Sequence, residues 1–307
     1  MRILLTGITG QLGHALRTPL ASLGTVVAAD RTLLDLSRPS DVSDILNEIA
    51  PDLIINPAAY TAVDQAEDES GLAYRVNAEA PGVLAEWATS HDVPMVHFST
   101  DYVFDGSGDQ PWREDDLTGP LSVYGASKLA GEIAIRKAGG CHLIIRTSWV
   151  FASRGKNFLN TIMRLARERS EIRIVADQVG APTSARALAN GLSSILASGQ
   201  AGARKNLLKQ KFDATHGLIH ITASGETTWH GFASAIVDGL RNRGVQLAIG
   251  NIVPIKTEEF PTKAKRPRNS RLDLGRAERI FGIRMPSWRD ALELELDAIV
   301  EPVDEDN

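Results

Sequence analysis

The chain has 307 residues, of which 43% are hydrophobic and 23% charged, a balance that supplies a sizeable core and excludes general disorder. A formal net charge of -5 excludes a broad basic surface for gathering nucleic acid. The single cysteine, Cys141, excludes a disulfide within the chain and reads as a small buried residue beside a strand.

The first residues, Met1-Arg2-Ile3-Leu4-Leu5-Thr6-Gly7, place a short apolar strand before a glycine turn. That run is too short for a signal-peptide core, and no later stretch is long enough to span a bilayer, so the chain reads as soluble and cytoplasmic. Strands are expected at 3–5, 26–29, 53–55, 95–98 and 143–145. Between them lie helical patterns at 42–49, with Ser40 as N-cap, and at 72–88. Regular alternation of this kind means parallel strands, right-handed crossovers and helices on both faces. The expected fold is therefore α/β, a Rossmann-type doubly wound parallel sheet with a smaller, mainly C-terminal substrate-binding lobe. Residues 1–150 are expected to bind a dinucleotide, with later segments returning to that unit, and 151–307 to form most of the lobe. Beyond Trp149, helices are expected at 158–168, 188–196 and 288–299, and a strand at 217–222. Residues 199–217 read as a surface loop with Lys205, Lys209 and Lys211 on a solvated face, and the acidic tail reads as frayed.

The first strand runs into Gly7-Ile8-Thr9-Gly10-Gln11-Leu12-Gly13 and then a helix. Glycines there let the backbone turn tightly and let a pyrophosphate approach the amides of the helix N-terminus. The second strand ends at Asp30, where a carboxylate meets an adenosine ribose. Asp30 favours NAD by repelling the extra phosphate of NADP, whereas Arg31 offers that phosphate a partner, so the choice between NADH and NADPH stays open. Asp35 and Leu36 are placed to meet the adenine.

The fourth strand ends in Ser99-Thr100-Asp101-Tyr102-Val103-Phe104, and a later helix opens with Tyr124-Gly125-Ala126-Ser127-Lys128. Tyr124 and Lys128 are four apart and share a helix face. A free phenol, with a pKa near ~10, is a poor proton carrier at neutral pH, and a neighbouring ammonium is expected to lower that value. Thr100, beyond the carboxyl end of its strand, is placed to donate to a substrate carbonyl while Tyr124 delivers a proton.

These motifs, together with Asn56-Pro57-Ala58-Ala59-Tyr60-Thr61-Ala62-Val63-Asp64, resemble the extended short-chain dehydrogenase/reductases. Arg146-Thr147-Ser148-Trp149-Val150, Asp177-Gln178-Val179-Gly180-Ala181-Pro182-Thr183 and Arg266-Pro267-Arg268-Asn269-Ser270-Arg271-Leu272 extend the likeness, more narrowly, to the dTDP-4-dehydrorhamnose reductases. The resemblance implies Thr100, Tyr124 and Lys128 as a catalytic triad and Ala58, Ala59 and Tyr60 as a border of the cofactor. It also implies Asp101 and Trp149 in the sugar pocket, and Asn157, Gln178, Arg266 and Asn269 in the nucleotide-sugar half of the cleft. Arg266 is there expected to meet the diphosphate, since its fork donates two parallel hydrogen bonds. The implied reaction is reduction of a dTDP-linked 4-keto-6-deoxy sugar by NADPH or NADH. Two alternatives stay open: a reductase of a related nucleotide sugar, and a non-catalytic regulatory subunit such as that of methionine adenosyltransferase. Some members dimerise around a magnesium ion held by glutamates, but Ala15 and Arg186 stand at those places and cannot ligate a hard cation. No magnesium-bridged dimer, resident metal, nucleic acid or membrane is expected.

Overall fold

The computed structural model describes residues 1–197 and 204–300. Its first half alternates β1 (Arg2–Leu5), α1 (Gln11–Ala21), β2 (Thr25–Ala28), α2 (Pro39–Ile49) and β3 (Leu53–Asn56). Two short helices follow, α3 (Val63–Ala66) and α4 (Ser70–Tyr74), then a π turn over Arg75–Glu79, α5 (Ala80–Ser90) and β4 (Met95–Thr100). A 3₁₀ turn over Asp101–Val103 ends β4, and α6 (Val123–Ala138) leads to β5 (His142–Thr147). The second half contains β6 (Val150–Phe151), α7 (Phe158–Glu168), β7 (Glu171–Val175), β8 (Val179–Gly180) and β9 (Thr183–Ser184). Then come α8 (Ala185–Leu196), α9 (Arg204–Ala214), β10 (Leu218–His220), β11 (Thr227–Thr228), α10 (Trp229–Asn242), β12 (Asn251–Ile255), α11 (Gly275–Phe281) and α12 (Trp288–Val300).

Six strands form one sheet in the order β10-β5-β4-β3-β1-β2, every pair parallel. β3 and β4 are buried along their whole length, as apolar runs covered on both faces must be. On one face, Leu16 and Leu20 of α1 pack with Leu188, Leu192 and Leu196 of α8 over Ile3, Leu5, Ile55 and Val96. On the other, Val42 and Leu46 of α2 and Leu84 and Trp87 of α5 cover Leu4, Ile54 and Ile144. A third core joins α7, α10 and α12 through Phe151, Leu159, Phe232, Trp288 and Leu296, beside the parallel pair β7–β12.

Three local expectations need correction. Ser40 is not the N-cap of α2: Pro39 occupies the first turn, its ring pre-set for the helix and its missing N–H costing no bond there, and Arg38 precedes it. The pattern at 72–88 is helical throughout, and what needs correction is its regularity: a π turn over Arg75–Glu79 breaks the α-helical bonding before Pro81. Residues 204–214 form α9 and not a loop, with Leu208 and Phe212 buried against the sheet's first core. Lys209 remains exposed, and the Lys211 ammonium lies 5.7 Å from the centroid of the Phe281 ring. The side chain of Lys205 and the acidic tail after residue 300 lie outside the described residues.

Arg146 on β5 and Glu132 on α6 form a bidentate pair at 2.9 and 2.7 Å, both 2% exposed or less. It ties the helix that carries Tyr124 and Lys128 to the strand beside β4. Removing one partner leaves a buried charge uncompensated, so Arg146→Met is expected to cost about 3–5 kcal/mol, read as a lower urea midpoint. Adding Glu132→Leu is expected to restore a substantial part of that loss.

Candidate functional site

The loop after β1 is shaped by contact. Gly7 sits at φ +59°, and a Cβ there would lie 2.8 Å from Ala58 Cα. A Cβ on Gly13 would lie 2.1 Å from the Gly7 carbonyl oxygen. The loop therefore closes on itself, with Gly10 N–H donating to Gly7 O at 2.9 Å, and α1 starts without a side-chain cap. Open amides at a helix N-terminus are a receptor for a diphosphate.

This loop forms one end of a cleft of about 690 Å³. The cleft wall brings together Gly7, Gly10, Gln11, Leu12, Gly13, Asp30, Asp35, Leu36, Ala58, Ala59, Tyr60, Tyr124 and Lys128. Asp30 Oδ1 accepts from Thr32 Oγ1, Thr32 N–H and Leu33 N–H, and these bonds, that of the Thr32 hydroxyl foremost, hold its carboxyl below the usual range. The anion is thus fixed at the end of β2, with Arg31 on the same wall. Glycine cradle, open amides and terminal carboxylate together suit a dinucleotide.

Thr100 and Tyr124 meet at the other end. The phenol of Tyr124 lies beside the Thr100 hydroxyl. Thr100 Oγ1 also donates to Asp101 Oδ1 at 3.0 Å and accepts from Tyr102 N–H at 3.2 Å. Asp101 is 2% exposed, and burial pushes its carboxyl up to about 7. Burial also pushes Tyr124 up to about 12. The expected lowering by Lys128 is therefore corrected: its Nζ donates to Phe98 O at 2.7 Å and lies 3.2 Å from His97 Nε2, pointing into the sheet. Burial brings Lys128 itself down to about 8.

Sequence reading missed the groups that hold this geometry. His97 is fully buried and kept neutral, first by desolvation and then by the Lys128 charge. Its Nδ1 lies 3.1 Å from the Asn56 amide, whose Oδ1 accepts from Thr6 Oγ1 at 2.6 Å. A polar chain thus links Lys128 to the root of the glycine loop. Asn77, in the π turn, accepts from Tyr60 N–H at 2.8 Å and donates to Tyr60 O and Ser127 Oγ, both at 3.0 Å. It fastens the cleft wall after β3 to the helix of Tyr124. No sequence pattern marked these groups; in the structure the π turn does, since π turns cluster at working sites.

The C-terminal segment closes the same end. Trp149, at φ +48°, stacks on Trp229 with ring centroids 3.6 Å apart, and Trp229 Nε1 donates to Gln178 Oε1 at 3.1 Å. Trp229 carried no local motif. Three of the implied nucleotide-sugar residues are engaged elsewhere. Arg266 spans to Asp64 at 3.2 and 2.5 Å, so its fork fastens 264–266 over α3. Asn269 is 2% exposed and donates to Ser107 O and Gln110 O, bracing a loop from within. Asn157 caps α7 and donates to Gln11 Oε1 at 2.8 Å, which places it beside the glycine loop. Ala15 packs into the first core, and Arg186 Nε lies 3.5 Å from Glu295 Oε1. Among the described residues no cluster of His, Cys, Asp and Glu suits a metal ion, and no helix is long and apolar enough to cross a membrane.

The loop geometry makes Gly13 the residue to change. Gly13→Ala is expected to leave the far-ultraviolet circular dichroism intact while weakening NADPH binding at least roughly tenfold, a loss of about 1.4 kcal/mol. A fluorescence titration checks this, and unaltered affinity would mean that the loop relaxes without loss.

Comparison with known proteins points one way. The family model described as the RmlD substrate binding domain matches residues 1–300. The dTDP-4-dehydrorhamnose reductase of Burkholderia thailandensis is 48% identical over 296 residues, covering 96% of this chain and 97% of that one. That of Escherichia coli K12 is 42% identical over 293 residues, covering 94% and 95%. The crystal structure of a dTDP-4-dehydrorhamnose reductase from Clostridium acetobutylicum superposes with a TM-score of 0.86 at 35% identity, covering 97% and 99%. One from Bacillus anthracis, solved in complex with NADP, gives 0.82 at 34%, covering 96% and 98%. On the glycine cradle, the Thr100–Tyr124 contact and this near-complete match, the chain belongs to the dTDP-4-dehydrorhamnose reductase family.

Proposed function

We propose that this chain reduces the C4 ketone of dTDP-4-dehydro-6-deoxy-L-mannose to dTDP-L-rhamnose, using NADPH or NADH. The observation that carries the reading is the pair of neighbouring hydroxyls, Thr100 and Tyr124, with Tyr124 and Lys128 on the wall of the cleft that also holds the glycine loop and Asp30. When bound, the reduced nicotinamide supplies a hydride. Tyr124 gives its proton to the oxygen of the reduced carbonyl, and Thr100 holds that oxygen by a hydrogen bond. A phenol pushed up to about 12 keeps its proton until charge develops on the substrate oxygen, so the transfer accompanies reduction. Lys128 is held from behind by Phe98 O and His97, and its remaining N–H reaches ribose hydroxyls on the cleft side.

Asp30, Asp35 and Leu36 receive the adenosine end, and Ala58, Ala59 and Tyr60 border the nicotinamide half. Asp101 and Trp149 face the sugar. Gln178, 4% exposed and bonded to Trp229 and Thr257, supports the aromatic floor beneath it. Residues 151–300 supply the sugar side of the cleft, while β10 and α8 return to the dinucleotide-binding sheet. Ala15 and Arg186 provide no oxygen ligands, so assembly around a shared magnesium ion is not part of this reading.

The test follows reduced-nicotinamide absorbance with NADPH and NADH in parallel, the keto sugar being generated in place by the preceding dehydratase and epimerase. Turnover that requires the epimerase is the expected result. Cofactor binding without turnover on any keto sugar would favour the regulatory alternative. Loss of one general acid typically costs roughly 10²–10⁴-fold, so Tyr124→Phe is expected to lose kcat on that scale and keep its cofactor affinity. Unchanged turnover would remove Tyr124 from the chemistry.

A further inference from the structure

We propose that Asp101 works as a neutral acid whose proton sets the direction of the Thr100 hydroxyl, and so decides whether Thr100 and Tyr124 can both donate to the substrate. The inference rests on the reductase reading above and concerns how its two donors are made available.

A threonine hydroxyl has one proton to give and two lone pairs to receive. Tyr102 N–H occupies one lone pair of Thr100 Oγ1 at 3.2 Å. Asp101 Oδ1 stands 3.0 Å away on a second side, and the Tyr124 phenol lies beside the same hydroxyl. An ionised Asp101 only accepts. It draws the Thr100 proton to itself, and the second lone pair of Thr100 then takes the proton of Tyr124. Both donors are turned away from a carbonyl. A protonated Asp101 donates to Thr100 instead, filling that second lone pair. The Thr100 proton and the Tyr124 proton are then both directed outward. Asp101 forms no bond to the substrate in this scheme: hydride reduces the ketone carbon, Tyr124 protonates its oxygen, and Asp101 reorients a neighbour.

The surroundings favour the neutral acid. Asp101 Oδ2 is buried without a hydrogen-bond partner, an uncompensated position for an anion, and burial outweighs the nearby Ser270 and Thr100 hydroxyls, which favour the ionised form. The charged and titratable groups facing this turn are Tyr102, Tyr124 on α6, Asp64 on α3 and Arg266. Arg266, the cation of the set, is engaged by Asp64. Burial places the Asp101 carboxyl at about 7, so neutral and ionised forms exchange near neutrality.

The test is the pH dependence of kcat for the full-length enzyme with NADPH and the enzymatically generated keto sugar. In the wild type the alkaline fall is expected to begin near pH 7. In Asp101→Asn the amide keeps a donor but cannot ionise. That variant is expected to have a lower kcat, with its alkaline fall moved to near pH 8, where Lys128 loses its proton. A merely structural role would lower kcat without moving the limb, so a limb that stays near pH 7 in Asp101→Asn overturns the proposal. A second readout does not use turnover. The infrared difference between wild type and Asp101→Asn at pH 6 should contain the C=O band of a protonated carboxyl, and a carboxylate band in its place overturns the proposal. Absence of wild-type turnover on the keto sugar would count against the reductase reading itself, whereas the infrared band tests Asp101 independently.

Discussion

The site depends on how closely α6 lies against the chain that leaves β4. A Cβ on Gly125 would lie 2.2 Å from the Tyr102 carbonyl oxygen, and one on Gly131 would lie 2.1 Å from Asn77 O. Helix backbone therefore touches backbone at two places, one turn of chain after β4 and one in the π turn. This approach sets Tyr124 beside Thr100 while Lys128 reaches down to Phe98 O. The Arg146–Glu132 pair holds the same helix from the β5 side, and Asn77 joins it to the wall after β3. Three neighbouring strands are thus referred to one helix, and the reacting hydroxyls sit where these constraints intersect.

Close approach also buries Thr100, Asp101 and Lys128, and burial governs the electrostatics here. Burial is the largest influence on Tyr124, Asp101 and Lys128, and in each it favours the uncharged form. No carboxylate pairs with Lys128, since Glu132 is engaged with Arg146; a neutral imidazole and a carbonyl serve it instead. Such a site holds protons in place until substrate charge develops. Charge is spent at the edges, where Arg266 with Asp64, and Lys263 with Asp68, fasten the C-terminal segment across α3.

The legible parts of the sequence were those decided locally. Apolar runs announced β1, β3, β4 and β5 because strands covered on both faces carry no polar alternation. The glycine loop and the residues ending β4 were readable because a strand end in a parallel sheet is where ligands bind. Residues 158–168 kept a clear amphipathic period and form α7 as expected. The π turn was hidden because a single inserted residue leaves the apolar pattern of 72–88 nearly intact. α9 was hidden by its lysines, its buried contribution reducing largely to Leu208 and Phe212. Two-residue strands such as β8 and β11 have no period to detect. Long-range commitments were the least accessible: Arg266 finds Asp64 across 202 residues and Asn157 finds Gln11 across 146, and no local pattern records either. His97 carries no local motif, and only the fold places its two nitrogens between Lys128 and Asn56.

The account places the hydride on the carbonyl carbon while Tyr124 protonates its oxygen, and one labelling experiment reads that event directly. Turnover would be run with NADPH carrying deuterium at both positions of nicotinamide C4, in ordinary water, and the sugar product examined by NMR. The account predicts one deuterium at sugar C4 and none elsewhere on the ring. A product with no deuterium, or with the label on another carbon, would contradict it.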